Sequence, residues 1–429
     1  MKTFAIHTLG CKVNSYESEA YIEKCLQLGY KQVDFKDKSD IYLINTCAVT
    51  NTAASKSRQK IHQAITQNPH AFIAVIGCYS QAEAANIEKM EGVNAVVGSD
   101  QKQTFLDSLD TLVEKHQKIN YVHELNTIPQ FDDLHIERFV RHTRAYLKIQ
   151  DGCNQFCSYC IIPYTRGRER SLEEDKAIEI AKKLVSNGHH EIVLSGIHTG
   201  RYGRGIHSDL PSLLNKLLEI QGLDRIRISS IEMNEVSDAL LDLMEKHPQI
   251  ARHLHIPVQA CSDSVLKRMN RPYDMRQFMK RIKEIRQKLP HISISTDIIA
   301  GFADESEEEF EETLKNAKMC RFSFMHVFPY SKRDQTVASK MKQIHGTIRK
   351  QRAHELCELS DVMKREYSNS WISKSCEVLV ETCKGENCMG HSSEYLPVMF
   401  KGDASLVGHI VRVVIHEVND SGCLGSLEG

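Results

Sequence analysis

The chain has 429 residues, of which 41% are hydrophobic and 26% are charged, and this ordinary composition excludes a disordered or fibrous protein. With 55 basic and 56 acidic residues its formal net charge is −1, so a nucleic-acid partner has to be met by a local basic patch. Its apolar runs are strand-sized, and the start MKTFAIHTLGC holds too short an apolar stretch for a signal peptide, so we expect no membrane association. Fourteen cysteines then indicate the reducing cytoplasm, where clustered thiols are more often metal ligands or buried hydrophobes than disulfides.

The first part of the chain, to about residue 116, alternates short apolar runs with amphipathic stretches. The runs TFAIHTLG, IYLINTCAV, AFIAVIGCY and AVVGS each precede a helix-like segment. This alternation predicts a parallel sheet covered by helices, in a flavodoxin-like domain over residues 1–122. Residues 123–140 are polar and lack clear periodicity, and they are expected to form a linker.

A second α/β series follows, with about six strand–helix units between residues 143 and 330, which favours a partial (βα)6 barrel over a closed eightfold one. Ser171 and Glu174 are expected to form a capping box for the helix AIEIAKKLV, which Asn187 and Gly188 end. A helical connector leads to about 60 residues of short apolar runs between glycine turns. These predict a small antiparallel barrel.

Three cysteines lie within eight residues of the second series, in the stretch DGCNQFCSYCIIPYTRGRERS. Cys153, Cys157 and Cys160 follow its first strand, where α/β folds place their active sites. Three thiolates hold three irons of a 4Fe-4S cluster and leave the fourth iron open to a ligand. A closed zinc site, the alternative, needs a fourth protein ligand that the stretch does not supply.

A second set of three cysteines is spread over the first series. Cys11, Cys47 and Cys78 each follow an apolar strand and precede a helix, so all three are expected at the carboxyl edge of one sheet. This common position predicts a second cluster. Cys25 and Cys320, inside helical stretches, are instead expected to be buried hydrophobes.

The C-x3-C-x2-C stretch, with an aromatic residue before its last cysteine, closely resembles that of the radical S-adenosylmethionine (SAM) enzymes. The layout of the whole chain resembles the methylthiotransferases of that superfamily. The resemblance implies a radical SAM domain over residues 141–366 and a C-terminal RNA-binding TRAM domain over residues 367–429. It also implies two 4Fe-4S clusters, SAM bound at the open iron of the second triplet, and an auxiliary cluster on the first triplet that carries the inserted sulfur.

The motifs GCKVNSYESE, NTCAVTN and CIIPYTRGRERS look like the branch that acts on threonylcarbamoyladenosine in tRNA. The branch that acts on isopentenyladenosine usually has Gln-Met-Asn after the first cysteine, and this chain has Lys12, Val13 and Asn14. Both that branch and the one that modifies a ribosomal-protein aspartate remain alternatives, as does a non-catalytic iron-sulfur protein that binds RNA. The expected partners are the anticodon loop of tRNA, an electron donor such as flavodoxin or ferredoxin, and a sulfur source.

The resemblance also suggests SAM contacts, namely Tyr159 near the adenine, with Gly196, Glu232 and Gln259 at successive strand ends. Two stretches depart from the family pattern, at Ala260–Cys261 and Ala303–Asp304, and backbone groups are expected to bind there. Residues 371–429 have four Lys/Arg against eight Asp/Glu, so bulk charge does not attract RNA to this segment. Better candidates for substrate contact are Arg166 and Arg168, and residues 264–290 with nine basic and two acidic side chains.

Overall fold

The computed structural model describes residues 1–125, 131–134, 136, 139 and 143–428. Part of the predicted linker 123–140 lies outside the described residues. The chain divides into two compact units, the first of Met1–Val140, Lys148–Leu172 and Ser331–Val337, and the second of Arg141–Leu147, Glu173–Tyr330 and Ala338–Gly429. The boundaries drawn from the sequence at residues 122, 140 and 366 stay a prediction. Among the described residues, no helix is long and apolar enough to cross a bilayer.

The first unit is built on a parallel sheet of six strands in the order β2-β1-β3-β4-β5-β6. The strands are β1 (Thr3–Thr8), β2 (Lys31–Gln32), β3 (Ile41–Thr46), β4 (Phe72–Gly77), β5 (Ala95–Val97) and β6 (Ile119–Tyr121). The helices that connect them are α1 (Lys12–Gln27), α2 (Asn51–Gln67), α3 (Cys78–Glu88) and α4 (Lys102–Lys115). Every residue of β3 and β4 is buried, as a sheet covered on both faces requires. The strand order is that of the flavodoxin-like fold, so the predicted α/β domain is confirmed.

Two later segments complete the first unit. One carries the end of β7 (Arg144–Asp151), the short helix α5 (Ile162–Arg166) and β8 (Arg170–Ser171), which pairs with β7. The other is held at the start of α2, where the Asn51 backbone amide donates to Ser331 Oγ at 2.9 Å and the Arg333 guanidinium donates to Asn51 Oδ1 at 2.9 Å. The unit is therefore made of three separate stretches, the last of which lies far along the chain from the other two.

The second unit contains the rest of a partial barrel, in which each strand lies beside the next one along the chain. The start of β7 adjoins β9 (Glu191–Gly196), β9 pairs with β10 (Arg225–Ile228), and β11 (His253–His255) pairs with β12 (Ser293–Ala300) and β12 with β13 (Phe324–Pro329). Single parallel bridges such as Ser230 to His255 join the two halves. The six parallel strands confirm the predicted partial barrel.

Helices follow the barrel strands, with caps that explain where they begin. They are α6 (Glu174–Ser186), α7 (Leu210–Leu218), α8 (Asp238–Lys246), α9 (Asp263–Arg268), α10 (Met275–Lys288), α11 (Glu307–Cys320) and α12 (Gly346–Asn369). Asp274 and Ser306 form capping boxes at α10 and α11. The capping box predicted at Ser171 is wrong, because α6 has Glu173 as its N-cap and the Ser171 hydroxyl instead donates to Gln150 Oε1 at 2.6 Å.

The C-terminal strands form a closed barrel in the order β14-β15-β16-β18-β17. They are β14 (Ser375–Lys384), β15 (Asn387–Ser392), β16 (Pro397–Lys401), β17 (Ile410–Asn419) and β18 (Gly422–Leu427), and all their pairings are antiparallel except that of β16 with β18. The predicted small barrel is confirmed. Cys383 and Cys388 form a disulfide across its β14–β15 hairpin, which the expectation of free or ligating thiols did not anticipate.

This barrel packs against the start of the βα barrel through one buried acid and two buried arginines. Glu191 in β9 accepts from Arg225 at 3.1 Å and from Arg227 at 2.9 Å. The same arginines donate to backbone carbonyls of the C-terminal barrel, including that of Ser393 at 3.0 Å. Although burial raises the pKa of Glu191, Arg227 and Arg225 lower it to about 2. Two arginines that pair with Glu191 in one barrel thus donate hydrogen bonds to backbone carbonyls of the other.

Candidate metal centre

The first cysteine triplet lies where the sequence predicts it, at the carboxyl ends of three adjacent strands. Cys11 follows β1, Cys47 follows β3 and Cys78 begins α3 directly after β4. Cys47 and Cys78 are 7% and 3% exposed, and Cys11 is exposed. Since neighbouring parallel strands end at one edge, the fold brings the three loops together.

Glycines allow two of these loops to approach one another closely. Gly10 has φ 109°, and a Cβ there would lie 3.1 Å from the Cys47 Cβ; Gly77 has φ 104°, and a Cβ there would lie 2.8 Å from the Thr46 carbonyl oxygen. A side chain at either position would be strained by the positive φ, and at Gly77 it would also collide with the backbone. Glycine directly before Cys11 and directly before Cys78 avoids this strain.

Asn14 fixes the loops that carry Cys11 and Cys47. Its side-chain amide donates to the carbonyl of Leu9 at 2.7 Å and to that of Thr46 at 3.0 Å, which are close to the two cysteines in sequence. Asn14 Oδ1 lies 3.8 Å from the Cys11 sulfur. The asparagine thus adds side-chain hydrogen bonds that tie together the ends of β1 and β3 beside the two cysteines.

Burial makes the Cys47 thiol poor at ionising without a cation. The pKa of Cys47 is raised to about 12 by burial and then by the neighbouring Cys78. A thiolate at this position is therefore costly near neutral pH unless a metal binds it, and metal coordination deprotonates a thiol outright. The three sulfurs suit a bound iron-sulfur cluster better than free catalytic thiols.

The second triplet lies in the loop between β7 and α5, in the same compact unit as the first. Cys153 is 6% exposed, whereas Cys157 and Cys160 are partly exposed. The Cys153 amide donates to the Gly167 carbonyl at 3.0 Å, and the Cys160 amide donates to that of Cys157 at 3.0 Å. A Cβ on Gly152, which has φ 72°, would lie 1.9 Å from the Arg168 carbonyl oxygen. Cys153 and the glycine before it are therefore held against Gly167 and Arg168, at the end of the same loop region.

Arg166 connects the two triplets. It is fully buried, and its Nε donates to the Cys78 sulfur at 3.2 Å while its terminal nitrogens donate to Asn14 Oδ1 at 2.8 Å and to Glu17 Oε1 at 3.0 Å. Arg166 is itself part of the stretch that follows Cys160. The Arg166 guanidinium therefore joins the segment after the second triplet to the Cys78 sulfur of the first triplet.

A buried network of charges surrounds that guanidinium. Glu17 Oε1 also lies 3.0 Å from Lys102 Nζ, and Asp151 lies 2.7 Å from Lys148 Nζ and 3.4 Å from Arg170. Burial alone would raise the pKa of Glu17, but Arg166, Lys102 and Lys148 lower it to about 2. The four cations exceed the two carboxylates by two charges, and thiolates beside Arg166 would reduce this excess. The surroundings thus fit an anionic, thiolate-bound cluster.

The sequence reasoning missed this network. Glu17, Lys102, Lys148 and Asp151 are distributed over α1, α4 and β7, and no local spacing relates them. A charged residue in an otherwise apolar strand, as Lys148 is in AYLKIQDG, was the available signal.

The two arginines proposed for substrate contact differ in exposure. Arg168 is exposed, with its guanidinium 5.0 Å from the centre of the Phe156 ring. Arg166 has no accessible surface and is engaged as described above. Direct contact of either residue with a substrate stays a prediction, and the burial of Arg166 favours a positioning role at the cysteines.

The predicted SAM residues of the second unit lie at the ends of successive strands. Gly196 ends β9, Glu232 follows β10, and Gln259 follows β11 with φ 72°. Glu232 accepts from the buried Arg271 at 3.1 Å and lies 3.7 Å from His198. Although burial raises its pKa, Arg271 and His198 hold the pKa of Glu232 below the usual value. The carboxylate is thus ionised, and its orientation is fixed. Tyr159 is half-buried in the first unit.

The departures from the family pattern are mostly buried. Ala260, Cys261 and Ala303 are 0% exposed, and Asp304 is exposed with φ 61°. Burial, then the neighbouring Cys320, raises the pKa of Cys261 well above its usual value. This environment favours a small hydrophobic role for Cys261 over that of an additional ligand.

The basic stretch 264–290 forms α9 and α10, and many of its charges are used within the fold. Arg268 pairs with Glu309 at 2.6 Å, Arg281 pairs with Asp238 at 2.9 Å, and Lys288 pairs with Asp242. The free positive charge of the stretch is therefore smaller than its composition indicates. Its contact with RNA stays a prediction.

Two family models match separate parts of the chain. Residues 3–98 match the model of "Uncharacterized protein family UPF0004", and residues 147–317 match that of the radical SAM superfamily. The fold resembles the radical S-adenosylmethionine methyltransferase TsrM from Kitasatospora setae, with a TM-score of 0.56 and 11% identity over 79% of this chain and 76% of that one. The family-model match assigns residues 147–317 to the radical SAM superfamily, a class that uses SAM with a 4Fe-4S cluster, and the structural likeness agrees in fold.

Full-length relatives identify the family. The chain is 42% identical to threonylcarbamoyladenosine tRNA methylthiotransferase MtaB of Bacillus subtilis over 97% of this chain and 94% of the relative. It is 36% identical to the Aquifex aeolicus protein of the same name, over 96% and 99%. It is 34% identical to tRNA-2-methylthio-N(6)-dimethylallyladenosine synthase of a Thermoanaerobacter species, over 96% and 90%. The chain belongs to the radical SAM methylthiotransferase family and is most similar, among these three, to an MtaB-type member.

Proposed function

We propose that this enzyme inserts a methylthio group at carbon 2 of N6-threonylcarbamoyladenosine, on the 3′ side of the anticodon in tRNA. The observation that carries the proposal is the 42% identity, over nearly the whole of both chains, to a relative named for this reaction. The relative named for dimethylallyladenosine is 34% identical, and it makes that nucleoside the second candidate substrate. The sequence after Cys11, which lacks Gln-Met-Asn, supports the first.

Two 4Fe-4S clusters are part of the proposal. Cys153, Cys157 and Cys160 would hold the cluster that binds SAM, and Cys11, Cys47 and Cys78 would hold the auxiliary cluster. When bound, these groups supply radical formation from SAM and a site for the sulfur to be inserted. The chain's own part is to fix the sulfur ligands through Gly10, Gly77 and Gly152 and to balance their charge through the Arg166 network.

The remaining residues would position the substrates. Tyr159, Gly196, Glu232 and Gln259 stay the proposed SAM contacts, and the Arg271 guanidinium holds the Glu232 carboxylate in place. Arg168, exposed beside Phe156, would meet the threonylcarbamoyl carboxylate or a phosphate. A base in a single-stranded anticodon loop leaves its stack at low cost, so its carbon 2 is accessible to a buried site.

The decisive experiment is to delete the gene and to analyse bulk tRNA nucleosides by mass spectrometry. We expect loss of 2-methylthio-N6-threonylcarbamoyladenosine and accumulation of its precursor without the methylthio group. Loss of the methylthio-isopentenyl nucleoside instead would move the protein to the neighbouring branch. Unchanged levels of both nucleosides would contradict a tRNA substrate of either kind and favour the ribosomal-protein alternative.

The assignment of clusters is tested on purified protein. Alanine at Cys153, Cys157 and Cys160 together should remove about half of the iron and all production of 5′-deoxyadenosine from SAM. Alanine at Cys11, Cys47 and Cys78 should remove the other half and preserve that production. Retention of all iron by either triple variant contradicts the assignment.

Reduced wild-type protein that forms no 5′-deoxyadenosine would favour a non-catalytic iron-sulfur protein. Flavodoxin or ferredoxin as electron donor and a separate sulfur source would complete the cycle.

A further inference from the structure

Three side chains inside the partial barrel have the composition of a metal site. His255 ends β11, Asp297 lies in β12 and His326 lies in β13. One ligand atom of each residue lies within 4.8 Å of those of the other two. The parallel register places Asp297 opposite His326, and His255 opposite Ser295, two positions before Asp297 on the same face of β12. The backbone therefore sets the spacing of the three groups.

The closest pair has the separation of two ligands on one ion. His255 Nε2 lies 3.2 Å from Asp297 Oδ1. Two ligands at tetrahedral positions about 2.0–2.1 Å from a zinc ion lie roughly 3.3 Å apart. The rings of His255 and His326 have their centres 5.7 Å apart, so both imidazoles line the same space.

A second layer of contacts orients His255. Its Nδ1 lies 2.8 Å from Ser295 Oγ, which also lies 2.8 Å from His253 Nε2. When the Nδ1 hydrogen of His255 is donated to Ser295, and Ser295 donates to His253, the Nε2 lone pair of His255 faces the carboxylate of Asp297. Two lone pairs at this distance repel unless a proton or a metal cation lies between them. A metal-binding histidine commonly has such a partner on its second nitrogen.

From this geometry we propose a mononuclear site for a divalent first-row transition ion, Zn²⁺ or Fe²⁺, bound by His255 Nε2, Asp297 and His326. Two imidazoles and one carboxylate suit either ion and leave coordination positions for water or a carboxylate oxygen. The side chains of His255 and Asp297 are 13% and 26% exposed, and His326 is exposed, so an ion reaches the ligands from solvent. The site contains no cysteine, and its three residues belong to the second unit, whereas both cysteine triplets belong to the first.

The zinc experiment uses reconstituted holoenzyme equilibrated with a series of buffered free Zn²⁺ concentrations and measures zinc per chain by mass spectrometry. The variants are Asp297→Asn and His326→Gln, with His354→Gln, whose side chain is 75% exposed on α12, as control. Wild type and control should each hold one zinc ion, and each ligand variant should bind it at least about tenfold more weakly. X-ray absorption at the zinc edge should show nitrogen and oxygen neighbours with imidazole scattering and no sulfur.

The iron arm replaces Zn²⁺ by Fe²⁺ and uses Mössbauer spectra, in which a mononuclear high-spin ferrous site is distinct from cluster iron. That component should be absent from Asp297→Asn, which has nearly the same size as the wild-type residue. Ser295→Ala keeps all three ligands and should weaken binding of the preferred ion by about 10–100-fold. Unchanged cluster iron and circular dichroism in each variant exclude misfolding.

Two results would overturn the proposal. Equal zinc and ferrous binding in wild type and Asp297→Asn would show that the three residues form only a hydrogen-bonded group in the barrel. Sulfur neighbours around the zinc would place the ion on cysteines.

Discussion

Replacement of Glu17 by glutamine should strongly destabilise the first unit. The carboxylate is fully buried and interacts with Arg166, Lys102 and Lys148, which lower its pKa from 4.5 to about 2 despite burial. A difference of about 2.5 pKa units corresponds to about 3.4 kcal/mol of interaction that depends on the charge. Glu17→Gln removes this interaction and leaves the buried cations with Asp151 as their carboxylate partner.

The assay is hydrogen exchange measured by mass spectrometry on peptides from α1 and α4, since local opening free energies do not require the two units to unfold together. A loss of about 3.4 kcal/mol accelerates exchange there about 300-fold. The control is Glu114→Gln, an exposed acid on α4, which should change exchange by less than about threefold.

Because the folded pKa of Glu17 lies below the ordinary value, the stabilisation is fully present above pH 4.5 and is lost as the pH falls toward 2. The difference between wild type and variant should therefore be constant from about pH 6 to 8. A change of less than about tenfold at α1, or a difference that varies across this pH range, would refute the assigned charge interaction.

Three further predictions concern single contacts. Gly152→Ala forces a Cβ against the Arg168 carbonyl oxygen, so this variant should lower the iron bound by the second triplet. The control Gly188→Ala, which has open space around it, should not lower the bound iron. Equal iron in the two variants would contradict the close approach at Gly152. Ser306→Ala removes the cap of α11 and should cost about 1 kcal/mol, seen as roughly fivefold faster exchange in that helix; no acceleration would mean that the cap is unimportant. Serine at both Cys383 and Cys388 should leave the iron content unchanged, and a loss of iron would make this pair a ligand set.

The sequence was sufficient to place the six cysteines of the two triplets in the fold, because their signals are local; their role as cluster ligands stays a prediction. Each of Cys11, Cys47 and Cys78 stands directly after an apolar run, and parallel strands bring such positions to one edge whatever the intervening lengths. The same logic predicted the α/β order of both series and the barrel at the C-terminus. The starts of helices were predicted less accurately from the sequence. Ser171, for example, has the right spacing for a cap, but its hydroxyl binds Gln150 across a strand pair.

Features that depend on distant segments could not be inferred. Arg166 looked like a substrate ligand because it lies beside the cysteine loop, and only the tertiary structure shows that α1 and α3 surround its guanidinium. His255, Asp297 and His326 are each isolated in sequence and meet only through strand register. To predict that these three side chains meet, one needs both the order of the strands and their exact residue pairing. Hydrophobic patterning indicates the order but not the pairing.

The division of the first unit into three separate stretches determines when its cysteine centre can be assembled in the cell. During synthesis, the sheet that carries Cys11, Cys47 and Cys78 leaves the ribosome well before Ser331, whose hydroxyl contacts the start of α2. At 5–20 residues per second the interval is on the order of tens of seconds. Until then the nascent chain exposes cysteines whose final neighbours have not been made. If the cysteines bind iron as proposed, loading after release from the ribosome would avoid other ligand sets.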